Sequence, residues 1–232
     1  MTERLAKRRG VSKTVLKCHL FGDSRALRLH LEPTPAATGP EDAAYEPDGR
    51  RRRSQDSRAR IVSAMLELVQ AGDVDPGAER VAAHAQVGLR TVFRHFKDMD
   101  SLYREMSIVV EGELEQVVRL PLQGETWKEQ LADLIARRSI AFEKIGPFKR
   151  ASNAHRHASP QLEAGHTKLV EQSRIRLKAM LPAEIAGDPM TLETLDLLLS
   201  FEAWSRLRQE QGLTPKQAKD VVTEAVARVI EG

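Results

Sequence analysis

Cysteine is almost missing from this chain of 232 residues, where Cys18 stands alone. A single cysteine excludes an intramolecular disulfide framework and points to the cytoplasm. Long apolar runs are missing as well. Hydrophobic residues make up 41% of the chain, yet no stretch approaches the roughly 20 apolar residues that a membrane span requires. Val11–Phe21 mixes basic with apolar side chains and offers neither an uninterrupted apolar segment nor a small-residue cleavage site, so no secretory leader is expected. No run alternates as a strand would, and neither a phosphate-binding loop nor a nucleophile motif is present. These absences predict a cytoplasmic all-α protein that uses no cofactor, membrane, metal or catalytic residue.

Charge is present but uneven. The net charge is +3, and residues 1–56 hold 12 Lys/Arg against 8 Asp/Glu. Residues 57–104 hold 7 against 6, and the remainder 17 against 19. Basicity at one end suggests a partner that carries phosphates. Residues 33–49 are rich in Pro, Gly, Ala and acids without an apolar period, which reads as a disordered linker. Residues 1–49 are therefore expected to be an N-terminal extension, and no function is assigned to them.

Beyond Arg50 the apolar spacing is helical throughout. A first helix is expected over Ser57–Ala71, where Ile61, Met65 and Leu68 share a face, and Gly72, Pro76 and Gly77 end it. Two short helices follow, Ala78–Ala85 and Leu89–Phe96. A long one, capped by Asp98 or Asp100, runs to Leu120 before Pro121. Glu125–Ile145 forms the fifth, Pro147–His157 a short basic sixth, and Pro160–Leu181 the seventh. Thr191–Glu210 and a last helix from Thr214-Pro215 to Ile230 complete the set. Two units are expected, one at 50–104 and a helical one at 105–232.

The stretch Val81-Ala82-Ala83-His84-Ala85-Gln86-Val87-Gly88-Leu89-Arg90-Thr91-Val92-Phe93-Arg94-His95-Phe96 carries the most information. Two helices this short cannot bury their own apolar faces, so Val81, Ala82, Val87, Val92 and Phe96 must form a core with the flanking helices. Ala85 is small where the two cross, as a helix-turn-helix requires. The second helix then exposes Leu89, Arg90, Arg94 and Lys97. Its N-terminal end, at Gly88, can enter a major groove, where free N–H groups favour a phosphate. The alternative is a solvated basic face in an ordinary bundle. Arg50–Arg53 directly precedes the first helix, and Arg51, Arg52 and Arg53 are expected to act as a flexible arm on phosphates or the minor groove. A solvated charge run is the other reading.

Ala85-Gln86-Val87-Gly88 followed by Thr91-Val92-Phe93-Arg94-His95-Phe96 and Leu102 resembles the TetR family of bacterial regulators. The resemblance is specific over about residues 57–104, extends to residue 232 only as helix count and length, and does not cover 1–50. It implies a homodimer that binds a palindromic double-stranded operator, most often as a repressor, and is released by a small-molecule effector. On matching positions, Leu89, Arg90 and Thr91 are expected to reach base edges, and Arg94, His95 and Lys97 to touch phosphates. An arginine can read guanine bidentately, worth about 1–3 kcal/mol of discrimination. The chain departs from the family at four places. Gln86 replaces a usual glycine at a turn that needs positive φ, at a cost of about 1 kcal/mol. Gly88 replaces a serine cap, Phe93 replaces a tyrosine and loses its hydroxyl, and Met99 replaces a lysine.

Thr191–Glu210 is apolar nearly all round, and the last helix carries a wide stripe of valines and alanines. A four-helix dimer interface would use both surfaces. The resemblance implies that arrangement, with Leu199, Val222, Val226 and Val229 as its core; a larger monomeric core is the alternative. For the effector pocket, His166 and Ser173 interrupt the face of Leu162, Leu169, Leu177 and Met180, and Phe142 and Trp204 could wall a cavity beside them. A buried histidine with a backbone partner would give the same pattern. Two rival functions stay open. Glu163-x-x-His166 has the spacing of di-iron helical bundles but lacks its second copy, which weakens a helical metal-binding enzyme. A sequence-independent DNA-binding protein is the other.

Overall fold

The computed structural model describes residues 48–231, and every described element is helical. Of the linker expected over 33–49, residues 33–47 lie outside the described residues, and Asp48 and Gly49 belong to α1. Among the described residues no helix is long and apolar enough to cross a membrane.

Helix α1 spans Asp48–Gln70, α2 Ala78–His84, α3 Leu89–His95 and α4 Met99–Val118. The first difference from expectation is the start of α1. Arg50–Arg53 are not a flexible arm but the opening turns of the same helix. Nothing in the Arg-Arg-Arg-Arg-Ser-Gln stretch breaks a helix, and arginine is a good helix former. The start of α4 resolves the cap left open between two aspartates. Asp98 Oδ1 accepts from the Ser101 N–H at 2.8 Å, and the Ser101 hydroxyl donates to the Asp98 carbonyl at 2.6 Å. The bond from the Ser101 N–H is the main cause that holds the Asp98 carboxyl below its usual range.

Helix α5 runs unbroken over Trp127–Arg156, although Pro147 predicted a boundary. A proline inside a helix removes one backbone bond and crowds the preceding turn, at a cost of about 3 kcal/mol. Burial outweighs that cost: Ile145, Gly146, Phe148 and Ala151 on both sides of Pro147 are enclosed. The helix is also well started. Glu129 N–H donates to Thr126 Oγ1 while Glu129 Oε2 accepts from the Thr126 N–H, a reciprocal cap. Gly124, at φ 118, opens this turn where a side chain would collide with Glu129.

Helix α6 covers Pro160–Met180 on the Ser159 cap, followed by a short α7, Ala183–Gly187, that periodicity did not reveal. The single helix expected over Thr191–Glu210 is three pieces. These are α8, Pro189–Leu198, then α9, Phe201–Ser205, which passes into a π-helical turn at Arg206–Glu210. Ser200 makes the break, because its hydroxyl donates to the Leu197 carbonyl and accepts from the Ala203 N–H. Such local bonds are what set serine apart from a helix interior. Helix α10 spans Pro215–Glu231.

Two cores result. One joins Ile61, Met65 and Leu66 of α1 to Val81, Val92 and Phe96, and continues through Tyr103 and Met106 to Ile145, Phe148 and Leu162. Packing is therefore continuous past residue 104. The other joins Leu131 and Ile135 of α5 to Leu177, Leu195, Trp204, Val222 and Val226. Leu199, Val222 and Val226 are each less than 10% exposed within the one chain. They serve the larger monomeric core, the alternative to a dimer seam, because α8 and α10 pack on each other and α10 also packs on α5. Val229, partly buried, borders the same core.

Candidate nucleic-acid interface and inner cavities

The α2–α3 turn rests on α1. Arg60 donates from Nε and Nη2 to the Ala85 carbonyl, at 3.1 and 2.6 Å, and from Nη2 to the Gln86 carbonyl at 2.7 Å. Gln86 has φ 53, the left-handed conformation expected at a glycine-favoured position. Charge-assisted bonds to the two adjacent carbonyls offset part of that strain. Arg60 carries no sequence signal beyond lying on the first helix.

Helix α3 hangs from this turn with Val92, and Phe96 just beyond it, buried. The Arg58 guanidinium lies 4.5 Å from the centre of the Phe96 ring and pairs with Glu105 at 2.9 Å. Gly88 occupies the cap position of α3 without a side-chain bond. On the outer face Arg90, Arg94 and Lys97 are exposed, as are Leu89 at 38% and Phe93 at 48%. Thr91 is half-buried. His95 differs from expectation. It too is half-buried, its Nε2 is enclosed without a hydrogen-bond partner, and desolvation with Arg94 and Arg58 nearby holds its pKa below 6.5. A neutral ring turned inward is poorly placed to meet phosphate as a cation. Arg51, Arg52 and Arg53 are exposed. They lie five to seven residues before Arg58, about 8–10 Å further along the α1 axis.

The four residues expected to wall one pocket fall in three places. His166 borders a cavity of about 260 Å³ between α4, α5 and α6, shared with Ser107, Glu111, Lys149 and Ser152. Its Nδ1 lies 3.2 Å from Lys149 Nζ, and Ser107 and Ser152 are bonded at 2.9 Å. Burial pushes the Glu111 carboxyl up and draws the Lys149 ammonium down. Burial first, and then the Lys149 charge, lowers the His166 pKa too. Phe142 and Ser173 border a second cavity of about 310 Å³, with Leu114, Val118, Leu134 and Met180. Trp204 reaches neither of these two cavities. It packs in the α8–α10 core and donates to Glu143 Oε1 at 2.8 Å. Glu163 pairs with Arg156 at 3.7 Å. Arg138, which no sequence pattern singles out, donates from its guanidinium to the Leu199 carbonyl and to Ser173 Oγ, each at 2.7 Å.

Helix α4 joins these regions. Tyr103 and Met106 sit in the core beneath α1, while Ser107, Glu111 and Leu114 border the cavities. The Tyr103 hydroxyl donates to Asp75 Oδ1 at 3.2 Å in the α1–α2 loop, and the His155 ring of α5 stacks on the Tyr103 ring at 3.9 Å.

The fold is thus an all-α one in which a short basic helix is carried on a larger helical body. In structure it is similar to a transcriptional regulator from Rhodococcus sp. Rha1, with a TM-score of 0.57 and 17% identity over 76% of this chain and 97% of that one. No family model and no curated protein matches the sequence.

Proposed function

We propose that this chain is a sequence-specific DNA-binding transcriptional regulator of the TetR type, acting as a homodimeric repressor on a palindromic operator and released by a small molecule. The observation that carries the reading is the seating of α3. A seven-residue helix does not persist in water by itself. Here α1 and α2 hold one while Arg90, Arg94 and Lys97 face solvent beside Leu89 and Phe93. Arg90, one residue inside the helix, would read a guanine edge. Arg94, Lys97 and Arg51–Arg53 supply phosphate contacts. The regulator of like fold is consistent with this use.

Two features support release by a ligand. Cavities exist inside the helical body, and α4 is a wall of both and a floor of the DNA unit. A ligand that prefers one spacing of α4 and α6 would shift the seat of α3 by its differential affinity for the two arrangements. Dimerisation would use the outward faces of α8 and α10, where Leu197 is 66% and Val221 45% exposed.

Selection from random duplexes followed by footprinting is expected to return an inverted repeat with half-sites about one helical turn, ~34 Å, apart. Arg90→Ala should relax preference at one position per half-site at a cost of about 1–3 kcal/mol. Replacing Arg51–Arg53 by alanine should weaken all sequences alike and flatten the salt dependence. Even protection of any duplex would instead establish a DNA-coating protein.

A further inference from the structure

We infer that the 310 Å³ cavity takes an apolar monoanion, a carboxylate on an aliphatic or aromatic body, with the carboxylate bound at Arg138 and Ser173. The inference rests on reading this cavity as the effector site. Its wall is apolar apart from Arg137, Arg138, Gln172, Ser173 and Arg176, and no Asp or Glu among the described residues lines it. Arg137 is already engaged, paired with Asp133 at 2.8 Å and donating to the Leu120 and Pro121 carbonyls.

Arg138 is not neutralised in this way. Two of its five N–H groups reach neutral acceptors, Leu199 O and Ser173 Oγ. No described carboxylate lies within ion-pair distance of it. Asp196 acts on it only through space, and lies 3.7 Å from the competing Arg174. Desolvation brings the Arg138 pKa down to about 10, so the group is still cationic at neutral pH. An enclosed charge without a counter-ion is costly, and a carboxylate both supplies the charge and matches the guanidinium fork. At the neighbouring 260 Å³ cavity two carboxylates, Glu202 and Glu111, act on Lys149, whose Nζ also lies 3.2 Å from His166 Nδ1. A volume of 310 Å³ is on the order of ten times the share of a liquid water molecule. That suits a medium-chain acid.

The test uses the full chain and three probes of one length: decanoate, decanol and decylamine, each below its micellar concentration, followed by calorimetry. Decanoate is expected to bind one site per chain at least tenfold more tightly than decanol, and decylamine not to bind. Arg138→Gln should cost decanoate at least tenfold and leave decanol unchanged, with Arg138→Lys intermediate. Equal binding of decanol or decylamine, no binding of decanoate, or a folded Arg138→Gln protein that binds decanoate as before would each overturn the assignment. The probe series on the unaltered chain decides the matter even if Arg138→Gln fails to fold. Operator affinity is measured in parallel. Decanoate held by Arg138 with operator affinity unchanged supports the cavity assignment and overturns release alone.

Discussion

At φ 53 the backbone of Gln86 occupies a region that costs an L side chain about 1–2 kcal/mol, and glycine would remove that cost while adding about 0.5–1 kcal/mol of unfolded-state entropy. Gln86→Gly is therefore expected to stabilise the protein by about 0.5–1 kcal/mol, read as a higher urea midpoint at constant slope. An unchanged midpoint would mean that the Arg60 clamp already absorbs the strain. His95 belongs to the same scale. Its pKa is lowered in the fold, by burial first and then by Arg94 and Arg58. Between the folded and unfolded values the unfolded chain binds more protons. The contribution is complete above about pH 6.5 and is lost as pH falls through the folded value. His166, lowered mainly by burial, adds in the same direction. Melting temperature should thus fall from pH 7 to pH 5, and His95→Gln should make that fall shallower. A steeper fall in the variant would reverse the assignment.

Helices α5 and α8–α9 show how packing overrules local preference. Pro147 stays inside α5 because Ile145, Phe148 and Ala151 must reach the core from one continuous helix. Pro147→Ala restores the missing backbone bond, and the gain should be about 2 kcal/mol after the looser unfolded chain is allowed for. Equilibrium unfolding measures it, and a loss of stability would show that a bend at Pro147 is needed for packing. Ser200 works the other way. A stretch of leucines with helical period is split because its hydroxyl caps α9 and closes α8. Ser200→Ala is expected to cost about 1 kcal/mol, the usual worth of such a cap.

For the whole molecule the decisive question is which apolar surface a second copy would cover. Leu199 is buried against α5 and α10, so Leu199→Glu places a charge in the chain's own core and should unfold it, a loss of several kcal/mol. Leu197→Glu and Val221→Glu, at exposed positions, should leave the fold intact and yield monomers with weakened operator binding. Sedimentation and circular dichroism together separate the outcomes. A dimer that survives both exposed substitutions would move the interface elsewhere.

Much was readable before any coordinates. The sequence by itself determined the all-α class and the α2–turn–α3 unit with Val81, Val92 and Phe96 as its inner face, whereas the left-handed Gln86 was implied by the family resemblance. The first two follow from local period and turn stereochemistry, which a linear pattern records. Only the tertiary structure decided what depends on partners distant in sequence. It made Val222 and Val226 of α10 intramolecular core, drew His95 partly inward near the Arg58 charge, and separated His166, Ser173 and Trp204 into different surroundings. It also left Arg138 charged beside an apolar cavity. A hydrophobic stripe specifies that a face is covered but not by what, because the hydrophobic effect has no direction. The worth of a buried charge likewise depends on neighbours that the chain brings together only when it folds.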